Sequence, residues 1–256
     1  MTEKLAVQRI TKDFPTKAGS VRALDSVSLS IAPGEFICIV GASGCGKSTL
    51  LEIIAGFTEP TTGKVLLDGR EILGPGPDRG LVFQRYSLYP WRTVAQNVSF
   101  GLEVANLPRN AIKERVDYYL GVMNLTKWAN ALPSQLSGGM RQRVAIARSL
   151  ATEPEVLLLD EPLGSLDAQT KFLMQDFLRD VWKRTNTTVL MVTHDVEEAL
   201  YLSQRIYAFS SHPGRVKREL RVPFGEQRNR EVRRDTQFLD LRDEVQSLLI
   251  AEVVEA

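Results

Sequence analysis

Gly41-Ala42-Ser43-Gly44-Cys45-Gly46-Lys47-Ser48 has the residue types and spacing of a phosphate cradle. The pattern is G-x-x-x-x-G-K-[ST]. Its glycines let successive backbone N–H groups turn inward around a phosphate without Cβ clashes. Lys47 would bring a cation to β- and γ-phosphate oxygens, and the Ser48 hydroxyl would ligate Mg²⁺. Thr49 joins residues Gly41 to Ser48 as a candidate nucleotide-binding residue. A second constellation lies downstream in Val156-Leu157-Leu158-Leu159-Asp160-Glu161-Pro162, an apolar run ending in two carboxylates. Asp160 would hold Mg²⁺ through water, and Glu161 would polarise an attacking water. Alone, such a run also reads as an ordinary exit from strand to turn; behind a phosphate cradle it reads as chemistry.

These groups need rigid elements to aim them. The pattern predicts a near-continuous apolar strand over Glu35–Val40 before the glycine loop and a helix over Lys47–Ala55 after it. In the first third, short strands with turns are expected, including Val27–Ile31 and Gly63–Asp68, then Gly80–Gln84 beyond the Gly74–Asp78 loop. Helical periodicity runs from about Asn97 to Asn130 with breaks at Pro108 and near Asn124. Helices follow at Gly138–Leu150, Ala168–Thr185 and Val196–Leu202, with buried strands at Val156–Leu159 and Thr188–Val192. Apolar strands alternating with helices argue for a parallel sheet covered on both faces. From Gly214 onward the chain is charge-rich and ends in an expected amphipathic helix, Leu239–Val253.

The bulk numbers narrow the function classes. A chain of 256 residues accommodates one generous domain, or a core domain with a small appendage. Its formal net charge of +1 removes the electrostatic case for nucleic acid or an anionic membrane as main partner. Two cysteines, Cys38 in an apolar run and Cys45 in the glycine loop, give no disulfide framework and lean toward a cytosolic setting. The start MTEKLAVQRITKDF lacks the features of a signal peptide. No window reaches the roughly 18 apolar residues of a spanning helix. The expectation is that any membrane role comes through a partner.

One further motif separates the families that share a P-loop. Leu136-Ser137-Gly138-Gly139-Met140-Arg141-Gln142-Arg143 resembles the ABC signature LSGGQ, with Met140 where the family usually has Gln. Ser137, Gly138 and Gly139 precede a helix, so they read as a second phosphate site at a helix N-terminus; the other reading is a capped helix with a flexible entrance. The other elements of the family appear in order. Gln84 matches the Q-loop glutamine that senses Mg²⁺ and the attacking water, Ser165-Leu166-Asp167 resembles the D-loop, and His194 matches the switch histidine at the γ-phosphate. Phe14 resembles the aromatic that stacks on adenine; the alternative for it is a core side chain. Cys45 has two readings as well, a thiol activated by the helix N-terminus or a small residue that fills the loop.

The resemblance covers about residues 5–213 and implies an α/β P-loop NTPase core of the ABC ATPase type, with a helical subdomain and an antiparallel β region near the N-terminus. It implies a single domain over residues 1–256, with a RecA-like core at about 1–97 and 141–215, the helical subdomain at about 98–140 and a tail at about 216–256. The family binds ATP and Mg²⁺ and works as a dimer, either of two copies or with a homologous subunit. It drives integral-membrane permease subunits and, indirectly, a substrate-binding protein, from the cytoplasmic face of the inner membrane as a peripheral subunit. Leu88-Tyr89-Pro90-Trp91-Arg92-Thr93-Val94, Gly76-Pro77-Asp78-Arg79 and Ser211-His212-Pro213-Gly214-Arg215 look most like importers of the nitrate, sulfonate and taurine group. The alternatives are an exporter ATPase and a nucleic-acid or translation machine of the same family. The latter usually carries two cassettes or a long coiled-coil insertion, and neither is present here. No nucleic-acid partner is expected.

Overall fold

A computed structural model describes residues 3–17, 19–225 and 228–254. In chain order the elements are β1 (Leu5–Thr16), β2 (Gly19–Ile31), β3 (Phe36–Val40), α1 (Lys47–Ala55), β4 (Thr62–Leu67), β5 (Arg70–Glu71), β6 (Arg79–Val82), α2 (Val94–Val104), α3 (Arg109–Val122), α4 (Gly138–Ala151), β7 (Val156–Asp160), α5 (Ala168–Thr185), β8 (Thr188–Thr193), α6 (Val196–Leu202), β9 (Arg205–Phe209), β10 (Val216–Arg221) and α7 (Thr236–Val254). They form two compact units. One comprises residues 1–76 and 188–256, the other residues 77–187.

The first unit holds two sheets of different character. β2, β1, β4 and β5 pair antiparallel in that order. Val27, Leu29 and Ile31 are buried on β2 while Ser28 faces out, the alternation expected of a sheet with one wet face. The strands β1 and β2 run 12 and 13 residues, longer than the short strands expected there, because their exposed halves carry no apolar alternation. In the second sheet β3 lies between β8 and β9, parallel to both, and β10 pairs antiparallel with β9. β3 and β8 are buried along their whole length, which explains their unbroken apolar sequences.

The charge-rich C-terminal segment belongs to this unit. Phe238 is fully buried and its ring lies 5.5 Å from that of Phe224. Arg228 donates to Leu200 O, Tyr201 O and Ser203 O at 2.7, 3.1 and 2.7 Å, and also to Phe224 O and Gly225 O. One guanidinium therefore satisfies carbonyls that α6 leaves without helical partners at its C-terminus. Near the other end of α6, Glu197 accepts from Arg242 of α7 at 3.2 Å.

The second unit pairs β6 parallel to β7 and packs α2, α3 and α4 against one another. α2 begins three residues before the expected Asn97 because Thr93 and Gln96 form a reciprocal capping box. α5 has the expected bounds. Asp167 caps its start by accepting from Thr170 N at 3.0 Å, and Asn186 closes its end in the left-handed conformation.

Because Arg228 holds five carbonyls, Arg228→Ala should strand several of them and cost about 3 kcal/mol. For a chain of this size that is a drop in Tm of roughly 6–12 °C, and Arg228→Lys should recover only part of it, since an ammonium lacks the planar fork. Thermal unfolding followed by circular dichroism measures this. A Tm within a degree of wild type for Arg228→Ala would show that the carbonyls are satisfied without it.

Candidate functional site

In the first unit, the register of parallel pairing fixes where the motif residues emerge. Val40 at the end of β3 lies opposite Thr193 at the end of β8. Gly41 and His194 are therefore the first residues beyond two adjacent strands at the same, C-terminal, edge. This is where open parallel sheets bind ligands. His194 is exposed, and Asp195 beside it caps α6 by accepting from Glu198 N at 3.0 Å.

The loop from Gly41 to Lys47 is closed by its own lysine. Lys47 is buried, and its ammonium donates to Gly41 O at 2.8 Å and Ala42 O at 2.9 Å, with Cys45 Sγ at 3.9 Å. Gly46 caps α1 at φ 96°, and a Cβ there would sit 2.8 Å from Ala23 O. Only glycine combines that dihedral with so close an approach of backbone to backbone. As N-cap, Gly46 offers no side-chain acceptor to the first turn of α1, so Lys47, Ser48 and Thr49 open a helix whose positive end is not covered by its own cap. A concave loop of glycines with a cation inside it and a helix dipole behind it fits a polyphosphate.

Cys45 fills this loop. It is buried, and burial pushes its thiol above the usual range, outweighing the opposite pull of Lys47. Of its two readings the loop-filling one fits this burial: desolvation disfavours the thiolate more than the neighbouring charge favours it. Phe14 is 38% exposed on β1, with Lys12 Nζ 5.0 Å from its ring centroid. It is a solvent-facing ring, and its core alternative is set aside.

In the second unit, Val82 on β6 lies opposite Leu159 on β7. The two strands release Gln84 and the pair Asp160 and Glu161 from neighbouring ends. β6 stops at Val82, two residues short of the expected Gln84, which places Gln84 in a bend rather than on the strand. Its Nε2 lies 3.4 Å from Glu161 Oε2. Glu161 sits at φ 42°, a left-handed conformation that a non-glycine residue adopts at a cost of about 1 kcal/mol or more. Among the described residues, no group of three or more His, Cys, Asp or Glu could hold a metal. Asp160 supplies a carboxylate at the end of β7, and Mg²⁺ in phosphoryl-transfer sites takes one or two carboxylates with water and phosphate in the other positions.

The same unit carries the glycine-rich entrance to α4. Ser137 accepts from Met140 N at 3.3 Å, which leaves its own hydroxyl proton for an outside acceptor. Gly139 is buried, and a Cβ there would meet Thr170 Cγ2 at 2.8 Å, so α4 and α5 approach through it. Asp167 is held below the usual carboxylate range by the Thr170 backbone N–H.

Between Gln84 and α2, residues 85–93 form a stapled loop, a feature that motif matching does not show. Asn97, fully buried, accepts from Tyr89 N at 2.9 Å and donates to Tyr89 O, Arg92 O and Thr93 O. Arg148 donates to Ser87 O at 2.7 Å, and its guanidinium lies 5.5 Å from the Tyr89 ring centroid. On this platform Trp91 is 73% exposed, its ring 5.9 Å from Tyr89.

The chain is similar to known proteins over most of its length. The family model "ABC transporter" matches residues 24–164. The nitrate import ATP-binding protein NrtD of Synechocystis sp. is 49% identical over 251 residues, spanning 96% of this chain and 94% of the relative. The taurine import ATP-binding protein TauB of Jannaschia sp. is 43% identical over 250 residues, spanning 96% of this chain and 93% of the relative. Among solved structures, the dimeric post-hydrolysis state of the ATP-binding cassette MJ0796 bound to ADP and Pi superposes with a TM-score of 0.75 at 33% identity, covering 86% of this chain and all of that one.

Proposed function

The chain belongs to the ABC transporter family as an ATP-hydrolysing cassette, and on that premise we propose that two copies enclose two ATP–Mg²⁺. Each nucleotide would lie between the Gly41–Ser48 loop of one copy and the Ser137-Gly138-Gly139 entrance of the other. One observation carries this reading: a single chain has two glycine-rich helix entrances suited to phosphate, one of them holding a buried lysine. A γ-phosphate has no use for two such cradles in one chain, whereas two copies arranged head to tail use both. The likeness to a cassette solved as a dimer supports it.

In this reading Lys47 binds the β- and γ-phosphate oxygens, Phe14 stacks on adenine, and Ser48, Gln84 and Asp160 hold Mg²⁺. The ion, when bound, neutralises charge on the phosphate oxygens. Glu161 takes a proton from the attacking water as its oxygen bonds to the γ-phosphorus and the bond to the ADP oxygen breaks. The Gln84 amide, 3.4 Å from the Glu161 carboxylate, orients that water, and His194 donates to the γ-phosphate. Residues 98–140 act as the helical subdomain that carries the signature, against a core of residues 1–97 and 141–215. Closure on ATP shifts the membrane partners between access states, because ATP binds the closed pair better.

The transported solute is a small anion such as nitrate, taurine or another sulfonate, a reading supported by the NrtD and TauB relatives. No helix among the described residues is long and apolar enough to cross a membrane. The chain works at the cytoplasmic face of the inner membrane through permease subunits that receive solute from a substrate-binding protein. The stapled loop carrying Trp91 is the surface on which a permease segment docks, and an exposed aromatic on a rigid platform suits an interface anchor.

Three outcomes test this. Glu161→Gln should bind ATP–Mg²⁺ normally, lose turnover by about 100-fold or more and accumulate as a dimer with ATP on size exclusion. Wild-type phosphate release by this variant would remove Glu161 from proton transfer. Next, Ser137→Arg subunits and Lys47→Ala subunits should each be inert alone but regain activity when mixed, since the mixed dimer has one intact composite site. Confirmed mixed dimers that stay inert would count against sites shared across the pair. Trp91→Ala should keep the ATPase of the isolated chain while weakening permease capture and transport. Normal assembly and transport by that variant would move the anchor elsewhere.

A further inference from the structure

Two segments of the second unit run side by side and are joined by side chains at two levels. The first runs from Gln84 to Ser87, the second from Glu161 to Asp167. Gln84 meets Glu161 at 3.4 Å, and two residues further on the Tyr86 hydroxyl meets Ser165 Oγ at 2.8 Å. The second segment is a pair of tight turns, with Gly164 N donating to Glu161 O and Leu166 N to Leu163 O, pinned by the fully buried Leu163. A displacement at Ser165 is therefore transmitted to Glu161 over three intervening residues.

Tyr86 is itself held from three directions. Arg148 donates to its carbonyl at 3.5 Å and to that of Ser87 at 2.7 Å. Ser87 sits at φ 48°, a left-handed conformation that Arg148 helps to hold. The Arg141 guanidinium lies 5.6 Å from the Tyr86 ring centroid. A Cβ at Gly138 would come within 3.3 Å of the Tyr86 hydroxyl oxygen, so the signature entrance reaches the same atom. One phenol thus touches the start of α4, the turn after Glu161 and the segment that carries Gln84.

We infer that Tyr86 is a positioning residue for hydrolysis, its hydroxyl bonded to Ser165 so that Gln84 and Glu161 are held at one separation and in step with the entrance to α4. The inference rests on the reading of Glu161 as the group that takes the water's proton. In this inference Tyr86 acts through Ser165 and not on the substrate. Its effect falls on the rate of the chemical step, because the Gln84–Glu161 contact at 3.4 Å is at the long end of a hydrogen bond and small shifts break it.

A double-mutant cycle on the full chain tests this, reading kcat, KM for ATP and Tm together. Tyr86→Phe and Ser165→Ala should each lower kcat about fivefold, the worth of one hydrogen bond. KM and Tm should stay near wild type. The double variant should be no slower than either single one, and Ser165→Thr, which keeps a hydroxyl, should restore the rate. Additive losses would overturn the inference, as would wild-type kcat in Ser165→Ala or a loss confined to Tm or KM. Should Tyr86→Phe fold poorly, the Ser165 pair decides alone, since Ser165 is exposed. Glu161→Gln measured alongside separates the two claims: its retaining turnover would refute the assignment of Glu161, whereas a silent Tyr86–Ser165 cycle with an inert Glu161→Gln refutes only the coupling.

Discussion

The register of parallel strands is the constraint on which the site depends. Val40 opposite Thr193, and Val82 opposite Leu159, decide which residues leave the sheets together. A slip of one residue in either pair would turn every side chain to the opposite face and bury the wrong set. It is resisted because β3, β7 and β8 are buried along nearly all of their length and bounded by polar residues, so a slip would draw an end residue such as Glu35, Glu161 or His194 into the buried layer. The candidate site residues are polar and lie at or just past the point where the apolar runs stop.

The two glycine-rich entrances solve different problems. At α1 the glycines serve the backbone: Gly46 at φ 96° lies against Ala23 O, and Lys47 turns inward onto the carbonyls of Gly41 and Ala42. At α4 they serve packing, since Gly139 lets the helix lie against Thr170 and Met174 of α5. The caps differ accordingly. Ser137 gives α4 a hydroxyl that accepts one helix N–H and retains a proton to donate, whereas Gly46 gives α1 none. The first entrance is a loop formed around a cation, and the second is a flat helix end with a hydroxyl beside it.

Much of this was legible in the sequence, for identifiable reasons. α1, α5 and α6 have the bounds expected because glycine, Asp167, Asn186 and Asp195 punctuate them. The apolar strands were visible as runs, and the order of the P-loop, signature, carboxylate pair and histidine pointed to the family. The exposed halves of β1 and β2 were not visible, nor was β10, whose sequence Val216-Lys217-Arg218-Glu219-Leu220-Arg221 buries only Leu220. An edge strand rich in charge has no apolar alternation to read, and such charge is how edges avoid further pairing. The sequence leaves Cys45 with two readings because the helix end is visible in it and the burial that favours the loop-filling one is not.

The residues hardest to foresee share one property. Asn97, Arg148 and Arg228 belong to none of the nucleotide motifs, yet each fixes a loop or helix end by bonding several backbone groups. An isolated backbone carbonyl taken from water costs on the order of 1–3 kcal/mol. A loop that must be rigid without being regular therefore needs side chains that replace the missing ladder. Asn97 carries both a donor and an acceptor and matches both groups of Tyr89, while the planar guanidinium of Arg228 spreads its donors over five carbonyls. Their partners are backbone atoms, which have no residue-type signature, so no spacing in the sequence reveals them. The motifs identify the groups suited to the chemistry; these three residues fix the irregular segments around them.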